Sequence, residues 1–100
     1  MMPLEIKFHP VAVQEATEAR QWYFDRSPTA AFAFDEALDL AVAQLAEHPN
    51  RWAKYLHGTR HLTLRKFPYV VVYRVAGSAI EVIAVAHEKR RPGYWKSRTE

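Results

Sequence analysis

The clearest periodic pattern in the sequence lies between Pro28 and Pro49. Five apolar residues recur there at alternating steps of three and four, which is the spacing of one face of an α-helix: Ala31, Phe34, Leu38, Ala41 and Leu45. Ser27 and Pro28 suit the N-cap and the first position of this helix, and Pro49 stops it. The pattern therefore predicts an amphipathic helix that runs from Pro28 to Glu47.

The residues before this helix predict a strand and another helix. Leu4–Phe8 alternates apolar and charged side chains, the pattern of a half-buried strand, and His9-Pro10 ends it. A helix from Pro10 to about Asp25 follows, with one face at helical spacing: Val13, Ala16, Ala19 and Tyr23. Because only a short turn separates the two helices, we expect them to form an antiparallel hairpin.

After Pro49 the pattern changes from helix to strand. Arg60–Arg65 alternates, while Tyr69–Val75 and Ala79–His87 are rich in β-branched and aromatic residues and are joined by a turn at Gly77. The last two strands are apolar at nearly every position and should be central in the sheet. The chain is therefore predicted to be one α+β domain over residues 1–100. Its order is an N-terminal strand, an antiparallel two-helix hairpin and a three-stranded antiparallel meander, forming one sheet.

Charge is distributed unevenly along the chain. Residues 1–50 carry three Lys or Arg against eight Asp or Glu, a net charge of −5. Residues 51–100 carry eleven against three, a net charge of +8. This asymmetry favours a basic surface that meets an anionic partner, although mutual attraction of the two halves would give the same composition.

Two classes of protein are disfavoured by composition. The sequence has no cysteine, which excludes disulfides, thiolate metal sites and cysteine nucleophiles. The N-terminal segment Met1–Glu5 lacks the basic and apolar stretches of a signal peptide, and the longest apolar runs are far too short to span a bilayer. We therefore expect a cytoplasmic protein with no membrane part.

Three pieces of the sequence occur in a known order. They are the helix junction Trp22-Tyr23…Ser27-Pro28 with Phe34 and Leu38; Gly58-x-Arg60-x-Leu62 followed by Phe67–Tyr73; and Ile83–His87 followed by Arg90-x-Pro92-x-Tyr94-Trp95. Together these pieces span nearly the whole chain. They resemble the helical hairpin, the central hairpin and the closing strand with its tail in RelE/ParE toxins, the plasmid stabilisation proteins of type II toxin–antitoxin systems.

The resemblance implies a partner and two alternative targets. The partner is a cognate antitoxin that wraps and neutralises the toxin in a hetero-oligomer, and no cofactor is implied. The ParE-like branch is thought to block DNA gyrase without chemistry of its own, and the long hairpin of this chain favours that branch. The RelE-like branch cuts messenger RNA in the ribosome as a metal-independent endoribonuclease. A non-toxic basic interaction module of the same fold is a third hypothesis.

Each hypothesis assigns its own site residues. In a nuclease, His87 would act as base or acid, Arg65 (or Arg60) would hold the phosphate, and Tyr94 would stack on a base or move a proton. Many RelE-like enzymes also use a lysine cluster on the middle strand, which this chain lacks.

In a gyrase inhibitor, the target-binding surface would comprise Arg60, Lys89, Arg90, Arg91 and Trp95. Arg60 has an alternative role, in which its stem packs along the sheet and its guanidinium reaches a carbonyl. His57 and His61 are four residues apart in a strand-like segment, so their spacing does not place them on one helical face, and we expect no metal site.

Overall fold

A computed structural model of the chain describes residues 4–100. The first three residues belong to the segment in which we expect no signal peptide, and they lie outside the described part. The described elements follow in chain order: β1 (Glu5–Phe8), α1 (Pro10–Arg26), α2 (Pro28–Glu47), β2 (Ala53–Lys54), β3 (Arg60–Thr63), β4 (Tyr69–Ala76) and β5 (Ala79–His87). Short 3₁₀ turns occupy Leu56–Gly58 and Lys96–Thr99. The predicted α+β fold class is confirmed.

The helical hairpin begins and turns at the residues that the sequence indicates. Pro10 and Pro28 are the first residues of α1 and α2, where a missing N–H costs nothing. His9 caps α1 by accepting a hydrogen bond at Nδ1 from the Val11 N–H, at 3.1 Å. Ser27 ends α1 through its own N–H and caps α2 by accepting from the Ala30 N–H, at 3.3 Å. One residue therefore serves both helices, which makes the connection very short.

The sheet has five strands in the order β1-β5-β4-β3-β2. Strands β3, β4 and β5 form the predicted antiparallel meander, and β4 and β5 are central. Strand β1 pairs with β5 in parallel, across a long connection that contains the helical hairpin and strands β2 to β4. The sheet is consequently mixed. The two-residue edge strand β2 was not predicted, since two residues carry no periodicity.

The helices cover one face of the sheet. On α2 the predicted apolar stripe is confirmed: Ala31, Phe34, Ala41 and Leu45 are buried and Leu38 packs against them. On α1 the prediction is off by one position, because Ala12 is buried and Val13 is 49% exposed. Ala12 lies four residues and Val13 three residues before Ala16, so the spacing to Ala16 alone does not choose between them.

An aromatic cluster joins the hairpin to the sheet. The ring of Phe34, which is fully buried, lies 5.5 Å from Tyr23 on α1, 5.4 Å from Phe67 and 5.5 Å from Tyr69 on β4. These separations are those of favourable stacked and edge-on aromatic pairs. Phe34 on α2 therefore contacts α1 and the sheet at once, and it joins the helical hairpin to the sheet.

The C-terminal tail covers the other face of the sheet. Trp95 is only 1% exposed and packs in a second apolar cluster with Val72, Ile83, Ala84 and Ala86. The pairing of β4 with β5 shifts after Val72, so that Ile83 is an extra residue in β5, a β-bulge. Because of these two covers, the middle of β4 and most of β5 are buried on both sides.

We predict that Phe34→Ala destabilises the fold by about 3–5 kcal/mol, because it leaves a cavity where three aromatic rings meet. In a domain of this size, each kcal/mol lowers Tm by about 4–8 °C. Phe32→Ala is the matched control: Phe32 is 65% exposed on the same helix, and its removal should leave Tm almost unchanged. Equal Tm losses in the two variants, measured by thermal unfolding, would contradict the assignment of the α2 face.

Candidate functional site

A cleft of about 390 Å³ opens between α1 and the end of β5. We call it the α1 cleft. Helix α1 lines one side of it with Glu15, Glu18 and Trp22, among others, and the sheet and tail line the other: Pro68, Tyr69, Val85, His87, Arg90 and Tyr94. Aromatic walls with a few charged groups are typical of a binding cleft.

Glu15 organises the floor of this cleft. Its carboxylate accepts hydrogen bonds from the Tyr94 hydroxyl, from the Arg98 guanidinium at 2.8 Å and from the backbone N–H of Val85 at 3.1 Å. Both members of the Glu15–Arg98 ion pair have side chains only 12% exposed. Arg98 also donates to the carbonyl of Ile83 at 3.1 Å. One carboxylate on α1 thus fastens the tail to β5.

Tyr94 is held in its neutral form by this arrangement. Burial, together with the hydrogen bond that its hydroxyl donates to Glu15, raises the pKa of Tyr94 well above the usual value for tyrosine. Arg90 lies over the Tyr94 ring, with its guanidinium carbon 3.9 Å from the ring centroid. At neutral pH the phenol is therefore a fixed hydrogen-bond donor and an aromatic platform rather than a base.

His87 ends β5 at the mouth of the α1 cleft. Its Nδ1 accepts a hydrogen bond from the Lys89 N–H at 3.0 Å, and its ring meets the Tyr69 ring edge-on at 5.0 Å. The neutral imidazole accordingly carries its proton on Nε2. These contacts fix the orientation of the His87 ring. They also occupy Nδ1 with a hydrogen bond from the turn at the start of the tail, which leaves only Nε2 unoccupied by them.

Five basic residues gather at this end of the sheet, and we call them the basic end: Arg65, Lys66, Lys89, Arg90 and Arg91. The turn between β3 and β4 meets the start of the tail here, since the Glu88 N–H donates to the Pro68 carbonyl at 2.9 Å. All five side chains belong to exposed residues. The three ion pairs found in residues 4–100 involve other residues, so none of the five has a carboxylate partner within that part of the chain.

The structure separates the residues that the sequence assigns to one site. His87, Tyr94 and Arg90 share the α1 cleft, whereas Arg65 lies on the adjoining turn and does not line it. Arg60 lies toward the opposite end of the sheet, where its guanidinium donates to the Trp52 carbonyl at 2.8 Å, as in its alternative structural role.

Trp95 was also assigned to the target-binding surface. The structure instead buries its side chain against the sheet, on the face away from the helices. It therefore holds the tail in place and presents no surface to a target.

Sequence reasoning missed Glu15. The residue lies three positions after Ala12 and four before Ala19, within the face of α1 that is buried against the sheet. A carboxylate on such a face needs a partner, because an unpaired buried charge is costly. That position was the available signal, although its partners are 70 or more residues away in sequence.

Other kinds of site receive no support. Within residues 4–100, no three His, Cys, Asp or Glu side chains are grouped so that they could hold a metal ion. His61 stacks on Tyr55 with ring centroids 4.2 Å apart, and His57 lies in the 3₁₀ turn with its ring edge toward Trp95. In the same residues, no helix combines the length and apolar composition needed to cross a bilayer.

We expect Glu15→Gln to destabilise the fold by about 3 kcal/mol, because it leaves Arg98 buried without a counter-charge. Glu18→Gln is the matched control one turn along α1, where the carboxylate only accepts a bond from Gln14 at the surface. Urea unfolding should show a lower midpoint for the first variant and an unchanged midpoint for the second. An unchanged midpoint for Glu15→Gln would mean that the Glu15–Arg98 pair does not hold the tail.

Comparisons with known proteins agree with this architecture. The sequence model of the family described as the ParE toxin of the type II toxin–antitoxin system parDE matches residues 6–92. Toxin ParE2 of Mycobacterium tuberculosis is 28% identical over 92 residues, which cover 91% of this chain and 88% of that toxin. Toxin RelE3 of Caulobacter vibrioides is 30% identical over 91 residues, covering 86% of this chain and 96% of that toxin.

The fold also has a solved counterpart. A chain from the chromosomal ParDE system of P. aeruginosa superimposes with a TM-score of 0.74 at 22% identity, covering 84% of this chain and 95% of that one. This similarity confirms the predicted RelE/ParE-like arrangement of two helices on a sheet. Because the family model spans most of the sequence, the chain belongs to the ParE toxin family of type II toxin–antitoxin systems.

Proposed function

We propose that this toxin arrests bacterial growth by binding DNA gyrase through the basic end, and that a cognate antitoxin neutralises it. The observation that carries the proposal is the basic end itself. Within residues 4–100, these five exposed cations have no carboxylate partner, and they lie at the edge of an aromatic cleft. Such a surface suits acidic groups of gyrase or the DNA that gyrase holds. The family supports an inhibitor of this kind, and a relative carries the name ParE2.

The geometry favours binding over catalysis. The Tyr94 hydroxyl already donates a hydrogen bond to Glu15, and the raised pKa of Tyr94 makes it a poor proton carrier near pH 7. His87 has one ring nitrogen occupied by the backbone of the tail. On the sheet face opposite the helices, Trp95 packs on Val72 and Ala86, so apolar side chains occupy that part of the face. A nuclease needs a base, an acid and a held phosphate within reach of one another, and Arg65 lies outside the cleft.

A ribosome-dependent endoribonuclease is the second candidate. His87, Arg90 and Tyr94 do line one cleft, and a 30%-identical relative is named RelE3. In this alternative His87 exchanges a proton through its free Nε2 while Arg65 or Arg90 holds the phosphate. A non-toxic module that retained the fold remains the third hypothesis, and it predicts that the chain is harmless when expressed alone.

Inducible expression in a bacterium, with DNA and protein synthesis followed by separate labels, distinguishes these hypotheses. We expect DNA synthesis to fall first, with DNA-damage signalling and filamentous cells. His87→Ala should retain this arrest. An immediate fall in protein synthesis with cleaved messenger RNA, abolished by His87→Ala in a folded chain, would replace the gyrase proposal with the nuclease.

The basic end can be tested against purified gyrase. Neutralising Lys89, Arg90 and Arg91 together to Gln should weaken inhibition of supercoiling by about ten-fold. Exposed ion pairs contribute up to about 1 kcal/mol each, and about 1.4 kcal/mol is a tenfold change. Lys7→Gln, on edge strand β1, is the control and should inhibit like the wild type. Full inhibition by the triple variant would contradict this placement of the target surface.

The antitoxin should dock on the outer side of the helical hairpin. Six large apolar side chains are exposed on α1 and α2: Val11, Val13, Trp22, Phe24, Phe32 and Leu40. Trp22 is half exposed at the rim of the α1 cleft, with the guanidinium of Arg26 3.5 Å above its ring. Exposed aromatic and apolar groups of this kind are typical of surfaces that a protein partner covers.

We predict that Phe32→Ala and Trp22→Ala each weaken binding of the product of the neighbouring antitoxin gene by about ten-fold or more, since aromatic anchors dominate interface energies. Isothermal titration with the purified pair measures the change. Val75→Ala removes a comparably exposed apolar side chain at the end of β4 and should have no effect. Wild-type affinity in both aromatic variants would place the antitoxin on another surface.

A further inference from the structure

A second cleft, of about 370 Å³, lies at the end of the sheet opposite the basic end. It opens where β3 begins and β4 ends, beside the short edge strand β2. Three cations from three segments line it: Lys54, Arg60 and Arg74. No carboxylate is among its lining residues in the described part of the chain. This cleft belongs neither to the α1 cleft nor to the surface that we propose for gyrase.

The two guanidinium groups are held in place before any ligand binds. Arg60 donates to the Trp52 carbonyl at 2.8 Å. Arg74 donates to the Thr99 carbonyl at 2.9 Å and forms an ion pair with Glu81 at 2.9 Å. A guanidinium has five N–H donors, so Arg60 keeps most of its donors for a ligand. Groups fixed in this way lose little side-chain entropy on binding, which favours affinity.

The charge of the cleft selects the ligand. Glu81 neutralises Arg74, whereas Lys54 and Arg60 have no carboxylate partner among residues 4–100. The uncompensated charge is therefore about +2. A terminal phosphate carries about −1.5 to −2 at neutral pH, which matches this charge better than a carboxylate or a backbone phosphodiester does.

The neutral wall of the cleft suits the same group. Gly58 has a positive φ of 74° and open space where a side chain would begin, so the backbone there is accessible. Asn50 and Tyr55 add an amide and a phenol to the lining. Oxygen-rich anions take hydrogen bonds from such groups in addition to the cations.

We propose that this cleft binds a terminal phosphate group, supplied either by a small phosphorylated ligand or by the 5′ end of a nucleic acid strand. Lys54 and Arg60 carry the charge recognition, and Arg74 with its Glu81 partner forms one wall. The site is independent of the proposed action on gyrase, because it lies at the other end of the sheet.

The test is a titration of the purified, ¹⁵N-labelled chain with pyrophosphate at low ionic strength, followed by amide NMR shifts and by calorimetry. We expect saturable shifts at Gly58 and Thr59. Lys54→Gln should weaken the affinity by about ten-fold, since charge-assisted hydrogen bonds contribute at least that factor. Lys7→Gln removes the same charge from the other edge strand and should leave the affinity unchanged. Arg60→Gln is a second variant. Its Tm must be measured as well, because Arg60 also donates a hydrogen bond to the Trp52 carbonyl and its replacement can carry a cost to the fold.

Two oligonucleotides of the same sequence, one with and one without a 5′-phosphate, identify the source of the phosphate. Tighter binding of the phosphorylated strand, lost in Lys54→Gln, assigns the site to strand ends as well as to small ligands. If pyrophosphate binds through Lys54 while the two strands bind equally, the ligand is small. The proposal is overturned if pyrophosphate shifts only residues of the basic end, if Lys54→Gln binds it like the wild type, or if no saturable binding occurs.

Discussion

The architecture depends on one constraint, which is that β5 is apolar on both of its faces and must be covered twice. Ile80, Val82 and Val85 pack in the core beneath the helices, while Ile83 and Ala84 pack beneath the tail. Leaving either face in water would forfeit the burial that holds a domain of this size together. The helical hairpin supplies one cover and the C-terminal tail the other, so the tail is a structural layer of the fold.

Glu15 connects helix α1 with the C-terminal tail at the point where the pairing of β1 with β5 ends. Strand β1 stops pairing with β5 at Val82, and within residues 4–100 no strand pairs with the next stretch of β5 on that side. Side chains take the place of a strand there: Glu15 accepts from the Val85 N–H, and Arg98 donates to the Ile83 carbonyl. Buried backbone groups need such partners, and the ion pair supplies them while anchoring the tail.

The anchoring of the tail determines where the proposed binding surfaces lie. Because the tail is fixed at Glu15 and Trp95, the three basic residues that follow β5 are held beside the β3–β4 turn. The resulting basic end and the second cleft lie at opposite ends of the sheet. The acidic hairpin lies on one face and carries a set of exposed apolar residues. This chain of one hundred residues therefore presents three chemically distinct surfaces.

The sequence by itself determined the order of the longer elements, the helix starts at Pro10 and at Ser27-Pro28, the buried face of α2 and the central place of the last two strands. Each of these is encoded locally, by spacing or by the stereochemistry of a few adjacent residues. It also indicated a basic second half, but not which cations would meet. Only the tertiary structure decided the parallel pairing of β1, the bulge at Ile83, the separation of Arg60 from the basic end and the role of Glu15. These features depend on contacts between residues far apart in the chain, and β5, apolar at nearly every position, has no alternation from which its faces could be assigned.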